Sequence, residues 1–504
     1  MDHHRTPLFT ALMQHAANDP LQFHIPGHKK GRGADPEFRA FVGDNTLSID
    51  LINIVPLDDL HQPAGAIREA ERLAADAFGA DHTLFSVQGT TGAIMTMIMS
   101  VCSPGDTIIL PRNAHKSILS AVIFAGAVPV WVEPEKDERL GIEHGVTTES
   151  IREAIERNPH VKAVLLINPT YYGTSIDLCQ MVELVHSYNI PVLVDEAHGT
   201  LLHFHEQLPV SAMQAGADMA ATSVHKLGAS MTQSSILNVK GNRVSIKRIR
   251  TVMSMLTTTS TSYLLLASLD TSRRQLALHG QALTGQTIRL AQEARRLINE
   301  IPGLYCYGEE ICEKRGVFRY DPTKLCIHLE QLNLTGYAAE QWLRETYKLE
   351  VELSDLTNIL CLITLGDTEQ EVRRLLQALR QLSDAFRGEG KCNKRVSDAV
   401  VPAASRFLLA PREAFYAPAE EAWLEQACGR IISEFVYVYP PGIPILMPGQ
   451  VITQEIVDYI KRHVEAGLPV KGPEDPDIQK VRVVAAPRQQ DKAPGRRSGY
   501  IIPD

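Results

Sequence analysis

The sequence predicts an α/β fold, a mostly parallel sheet covered by helices on both faces. Three observations predict it. Between residues 61 and 240, short apolar runs alternate with helical stretches. The runs are nearly continuous in Val, Ile and Leu, as strands buried on both faces are. Charged residues stand at the ends of two of these runs, where such sheets bind their ligands.

Seven strands are expected, at 83–87, 107–110, 128–132, 163–167, 192–195, 219–224 and 235–239, with helices at 93–101, 151–158 and 178–188 between them. They belong to a large domain over residues 61–300. Residues 1–60 precede it as a helix over 7–17, with Leu8, Leu12 and Ala16 on one face, and an arm through FHIPGHKKG (23–31) too rich in Pro and Gly for a regular element. Residues 245–300 read as helical, interrupted by the hydroxyl-rich run 257–262. A smaller α/β unit is expected over 301–387, with strands at 324–329, 349–353 and 359–365 and a helix over 369–386. A polar linker, 388–404, leads to a C-terminal domain, 405–484, built around Tyr439-Pro440-Pro441-Gly442. The tail, 485–504, is poor in apolar residues and is expected to be disordered.

Composition narrows the partners. The 504 residues are 44% hydrophobic and 22% charged, with a formal net charge of −9, so bulk charge favours neither nucleic acid nor membrane. No run of about 18 apolar residues occurs to span a bilayer. The N-terminus lacks the apolar centre of a signal peptide. Eight cysteines form neither a CxxC pair nor a zinc-ligand spacing, which suits reduced thiols in a cytoplasmic protein without a metal site.

Two segments carry the chemistry. Asp195 ends the apolar run 191–194, and Lys226 follows the run 219–221 within Ser223-Val224-His225-Lys226. A lysine and a carboxylate at two strand ends suggest a pyridoxal 5′-phosphate site. There Lys226 would hold the aldehyde as a Schiff base, and Asp195 would keep the pyridine nitrogen protonated. Gln88-Gly89-Thr90-Thr91-Gly92, between a strand and a helix, offers backbone N–H groups and the Thr90 and Thr91 hydroxyls to a phosphate. Ser223 and His225 supply donors from a second strand end. His115, just past another strand, could stack on the pyridine or act as an acid or base; a plain loop histidine is the alternative. His198 reads equally as support for Asp195, as a cofactor contact or as a hydrogen-bonded core histidine.

These segments, together with INPTYYG (167–173), VLVDEAHG (192–199), ATSVHKLGASMTQSS (221–235), SMLTTTSTSYLLLASLD (254–270) and VYPPGIP (438–444), resemble the Orn/Lys/Arg decarboxylases of PLP fold type I, above all the biosynthetic arginine decarboxylases of Gram-positive bacteria. The resemblance runs from about Thr6 to Val484. It implies that Lys226 is the Schiff-base lysine, Asp195 the pyridinium partner and His115 the ring-stacking histidine. It places Thr91, Gly92, Ser223 and His225 at the phosphate, joined by Thr258 from a neighbouring subunit, and so implies a homo-oligomer, a dimer or dimer-based, with interface active sites. The implied reaction is decarboxylation of a basic amino acid, L-arginine to agmatine and CO2 in polyamine biosynthesis. Lysine or ornithine is the alternative substrate. Transamination, carbon–sulfur lysis and a non-catalytic binding role are the alternatives of another class. Asp50, Glu474 and Asp475 are the candidate acids for a guanidinium. The chain departs from some relatives at His198, Ile52-Asn53 and Gln450, and it leaves no room for an N-terminal wing, which suits a smaller assembly.

Overall fold

A computed structural model describes residues 1–388, 402–438, 443–465 and 468–485. Tyr439-Pro440-Pro441-Gly442, nearly all of the expected linker and the expected tail from Ala486 lie outside the described residues.

All seven expected strands form and join one sheet: β1 (His82–Ser86), β2 (Thr107–Pro111), β3 (Val128–Val132), β4 (Ala163–Ile167), β5 (Val192–Asp195), β6 (Met219–Thr222) and β7 (Ser235–Val239), in the order β1-β7-β6-β5-β4-β2-β3. The pairs β2–β3, β2–β4, β4–β5 and β5–β6 are parallel. Only β7 runs against its neighbours β1 and β6. Successive residues of the central strands face opposite layers, as a period of two requires. Ile108, Leu110, Leu165 and Leu193 pack into the cluster with the helices Gly89–Val101 and Lys116–Ala125. Ile109, Val164, Leu166 and Val192 pack into the opposite one, with Thr148–Arg157 and Leu178–Ser187. Both faces are thus sealed, and the sheet's open edge for chemistry is its carboxyl end.

The strand expected over 219–224 stops at Thr222. The last rung to β7 is Ile236 against Thr222. Beyond it the backbone turns inward on itself, Lys226 N–H donating to the Ser223 carbonyl at 3.1 Å and Gly228 N–H to the Val224 carbonyl at 2.7 Å. Val224–Leu227 is therefore a single helical turn.

Helix Ile246–Leu256 ends at the hydroxyl-rich run, and a 36-residue helix, Tyr263–Ile298, starts after it. The long helix anchors the N-terminus. Its Asp270 accepts hydrogen bonds from the Leu8 and Phe9 N–H groups at 3.0 and 3.3 Å, filling the first turn of helix Pro7–Ala17, and from Arg273 Nη2 at 2.6 Å. Arg273 also donates to the His3 and Arg5 carbonyls at 3.1 and 2.6 Å. Asp270 is fully buried, at 0% exposure, so removing it strands a buried guanidinium. Asp270→Ala is expected to cost about 3–5 kcal/mol in urea unfolding.

The smaller unit is a four-stranded antiparallel sheet of Tyr305–Cys306, Lys324–His328, Asn358–Leu362 and Leu353–Ser354, covered by helix Glu369–Phe386. Of the strand expected at 349–353 only Leu353 is in a strand, the two-residue Leu353–Ser354. The C-terminal unit pairs Ala419–Trp423 with Lys480–Val484 beside helix Gln454–Glu465, and Arg112 of the large domain donates to the Pro402 carbonyl, just ahead of that unit, at 2.8 Å. Gln450 serves this unit and not the cavity described below: it accepts from Met447 N–H at 2.9 Å and donates to the Ser405 carbonyl at 2.8 Å.

Candidate active site

A cavity of ≈ 450 Å³ opens at the carboxyl ends of the central strands. That is within the roughly 300–1,000 Å³ usual for small-molecule sites. Thr90, Thr91, His115, Asp195, His198, Ser223, His225 and Lys226 all line it. Gly92 and Thr258 do not. Gly92 lies behind the helix start, where an added Cβ would sit 2.7 Å from Gln88 Cβ. Thr258 is exposed on the loop between the two long helices, its carbonyl 3.0 Å from His61 Nε2.

Lys226 Nζ lies 2.6 Å from His198 Nε2. Burial lowers the Lys226 ammonium from its ordinary range, while Asp195 and Glu352 hold it up in part. Burial, with Lys226 and Lys324 nearby, drives His198 well below the usual imidazole range. The histidine is therefore neutral and acts as acceptor for the Lys226 donor. That assignment leaves the proton on Nδ1, a buried atom without a hydrogen-bond partner among the described residues. The His198 ring packs on Tyr171 with centroids 4.4 Å apart, and Lys226 Nζ sits 5.5 Å from the Tyr171 ring centre. The Tyr171 hydroxyl donates to Glu352 at 2.6 Å.

Asp195 ends β5 opposite Ala221 of β6. Its Oδ1 accepts from Ala197 N–H at 3.1 Å. Burial pushes its carboxyl up to about 6, offset by that N–H and by Lys226. His115 caps helix Lys116–Ala125. Its Nδ1 accepts from Ser117 N–H at 3.3 Å and lies 2.8 Å from the Ser117 hydroxyl, which places the ring proton on Nε2. Burial and the charges of Lys226 and Lys116 bring it down to about 4, so it is a neutral ring near pH 7.

The far wall is a hydroxyl-lined helix start. Helix Gly89–Val101 begins at Gly89, whose φ of +66° suits glycine and whose N–H donates to the Gln233 carbonyl at 2.9 Å. Thr90 Oγ1 hydrogen-bonds the Ser223 hydroxyl and lies 2.8 Å from Ser235 Oγ. These bonds lock the first turn to β7 and to the Lys226 turn. Thr91 is left exposed toward the cavity. His225 Nδ1 donates to the Ser234 carbonyl at 2.8 Å. The first N–H groups of a helix, with these hydroxyls, make an anion site.

Tyr171 lies in INPTYYG (167–173), where nothing in the local sequence shows that its ring meets His198. Glu143, which carries no signal in the sequence, lines the cavity from a hairpin of two-residue strands. Asp50, Glu474 and Asp475 do not line this cavity. Asp50 lies 3.3 Å from His28 Nε2 and Glu474 lies 3.3 Å from Arg482 Nη1. Asp475 accepts three backbone N–H groups, from Asp477, Gln479 and Lys480.

The fold is that of the PLP fold type I decarboxylases. The chain superposes on the lysine decarboxylase LdcF of Francisella novicida with a TM-score of 0.83 at 22% identity, covering 95% of this chain and 80% of that one. A family model described as Orn/Lys/Arg decarboxylase, major domain, matches residues 6–371, and one described as Orn/Lys/Arg decarboxylase, C-terminal domain, matches residues 395–477. The chain belongs to the Orn/Lys/Arg decarboxylase family. It is 58% identical to an arginine decarboxylase of Bacillus anthracis, over 96% of this chain and 98% of that one. It is 56% identical to an arginine decarboxylase of Bacillus subtilis (strain 168), over 96% and 99%. No helix among the described residues is long and apolar enough to cross a membrane.

Proposed function

We propose that the chain is a pyridoxal 5′-phosphate-dependent decarboxylase that converts L-arginine to agmatine and CO2, working in the cytoplasm in polyamine biosynthesis. The observation that carries this reading is the meeting of Lys226, Asp195 and His115 in one cavity of a chain whose full-length relatives are arginine decarboxylases.

The residues fit the cofactor by their chemistry. An amine, a buried carboxylate, a neutral aromatic ring and a hydroxyl-lined helix start share one cavity, and the buried His198 Nδ1 atom has no hydrogen-bond partner among the described residues. When bound, the cofactor supplies an aldehyde that links to amines and a ring that draws in electrons from the bond broken at the substrate α-carbon. Lys226 Nζ would hold that aldehyde, and burial, which lowers its pKa, favours the neutral, nucleophilic amine. His198 Nε2 keeps Nζ in place by accepting its hydrogen bond. Asp195, ionised above about 6, holds a proton on the pyridine nitrogen by charge. His115 supplies a ring face without adding a cation. Thr91 and Ser223 would receive the phosphate at the helix start, with Thr90 bracing the turn behind them, while His225, its Nδ1 proton and backbone N–H both given to the Ser234 carbonyl, would stand beside it as a neutral ring.

Two observations support a homo-oligomer with the site at its interface. The N-terminal segment exposes Phe23, Phe41 and Val55 at 97%, 92% and 100%, apolar side chains that a neighbouring subunit would cover. Thr258 is exposed away from this chain's own cavity, as a residue serving a neighbour's phosphate would be.

The test is CO2 release from L-arginine, L-lysine and L-ornithine by protein loaded with cofactor. Release from arginine at a kcat/KM at least about tenfold above the other two is expected, a margin worth about 1.4 kcal/mol. Faster release from lysine or ornithine would replace arginine as the substrate. Conversion of the cofactor to its amine form without CO2 would mean a transaminase.

A further inference from the structure

We propose that Glu143 is the carboxylate that receives the guanidinium of the substrate and so sets the preference for arginine; the inference rests on the reading that this cavity acts on a basic amino acid. Two carboxylate residues are found among the described residues lining the cavity, Asp195 and Glu143. Asp195 is committed to the other end of the chemistry, beside Lys226. Glu143 is therefore the acid available to a cation at the distal end of a substrate held at Lys226.

Its surroundings fit that task. Glu143 lies on the returning strand of a hairpin in which Ile142–Glu143 pairs with Lys136–Asp137, and Gly141, Ile142 and Glu143 of that returning segment all line the cavity. Its Oε2 is sealed from solvent and has no hydrogen-bond partner among the described residues. A neighbouring cation, Arg112, is already engaged, donating to Glu133 at 3.2 Å and to the Pro402 carbonyl at 2.8 Å. Lys136 is the register partner of Glu143 in the hairpin. Burial, opposed by Lys136 and Arg112, leaves the carboxyl pushed up to about 7.

An unpartnered buried carboxyl is costly as an ion and is relieved when a cation with matching donors arrives. A guanidinium brings five N–H donors in a planar fork, and a carboxylate accepts two of them side by side. A neutral ureido group of the same shape brings donors but no charge, so it gains far less from the same oxygen pair.

The experiment uses the cofactor-loaded enzyme and compares L-arginine with L-citrulline, its neutral counterpart of nearly equal shape. Glu143→Gln is expected to lower the arginine-to-citrulline ratio of kcat/KM by about 10- to 100-fold, chiefly through the KM for arginine, with the absorbance of the bound cofactor unchanged. A ratio within about twofold of wild type overturns the assignment. Should Glu143→Gln fail to take up cofactor, Glu143→Asp, which keeps the charge but withdraws it by one methylene, is expected to raise the KM for arginine at least about threefold; an unchanged KM overturns the assignment. Wild-type turnover is read first. Absence of CO2 from arginine overturns the functional reading and the inference with it, whereas normal turnover with unchanged discrimination overturns the role of Glu143 alone.

Discussion

Lys226→Ala is expected to yield a folded protein that no longer holds cofactor covalently and loses roughly 10⁴-fold or more of its decarboxylase rate, the scale of loss seen when a nucleophile is removed. The fold should survive because Lys226 sits in a single turn whose backbone bonds are independent of its side chain, Lys226 N–H to Ser223 and Gly228 N–H to Val224. The side-chain partner it leaves behind, His198 Nε2, faces a cavity that water can enter. Two measurements check the result. Borohydride treatment followed by mass spectrometry should place a pyridoxyl group on the peptide carrying Lys226 in wild type and on no peptide of the variant. Thermal melting without cofactor should fall within a few degrees of wild type, since about 1 kcal/mol corresponds to only about 2–4 °C in a domain of this size. A variant that keeps the covalent label, or the rate, would mean another amine does the work.

Much of this site was legible in the sequence because each part of it hangs on a strand end. The seven runs are long enough and apolar enough to be found by composition, and Asp195, Lys226, His115 and the Gly89–Gly92 segment each follow one of them. Strand direction was not legible. β7 reads as a buried strand like the parallel ones of the same sheet, and only its pairing to β1 and β6 shows that it runs the other way. The end of β6 was overrun for a related reason. Val224 continues the apolar composition but has no rung to pair with once β7 has reached Thr222. Glu143 escaped because a strand of two residues has no periodicity to detect, and an isolated acid in a loop reads as solvated. The meaning of His198 needed coordinates too, since nothing local to Ala197-His198-Gly199 indicates that Lys226 lies 2.6 Å away.

Asp195→Asn is expected to lower kcat by on the order of 10²–10³ while cofactor still binds, as when one preorganised electrostatic group is deleted from an active site. Asparagine keeps the size of the side chain and the acceptor oxygen that Ala197 N–H requires. What it removes is the charge. The wild-type carboxyl stands at about 6 because burial disfavours its ionised form, and a pyridinium against it would pull that value down. An acid limb set by Asp195 in the pH profile of kcat therefore lies at or below about 6, and the Asn variant should lack it. Stability in the absence of cofactor moves the opposite way. A carboxyl whose folded pKa lies above the unfolded value of about 3.9 favours the folded state when both states are protonated, and loses that contribution as pH rises through about 6. Ionised Asp195 thus weighs against folding at pH 8 (roughly two units above its folded pKa), and the uncharged amide does not. Cofactor-free Asp195→Asn should melt above wild type at that pH, with the advantage closing as pH falls toward about 4. A stability bought at the expense of rate is the pattern expected of a charge buried for chemistry. A kcat within about tenfold of wild type would show that the ring needs no anion at this position.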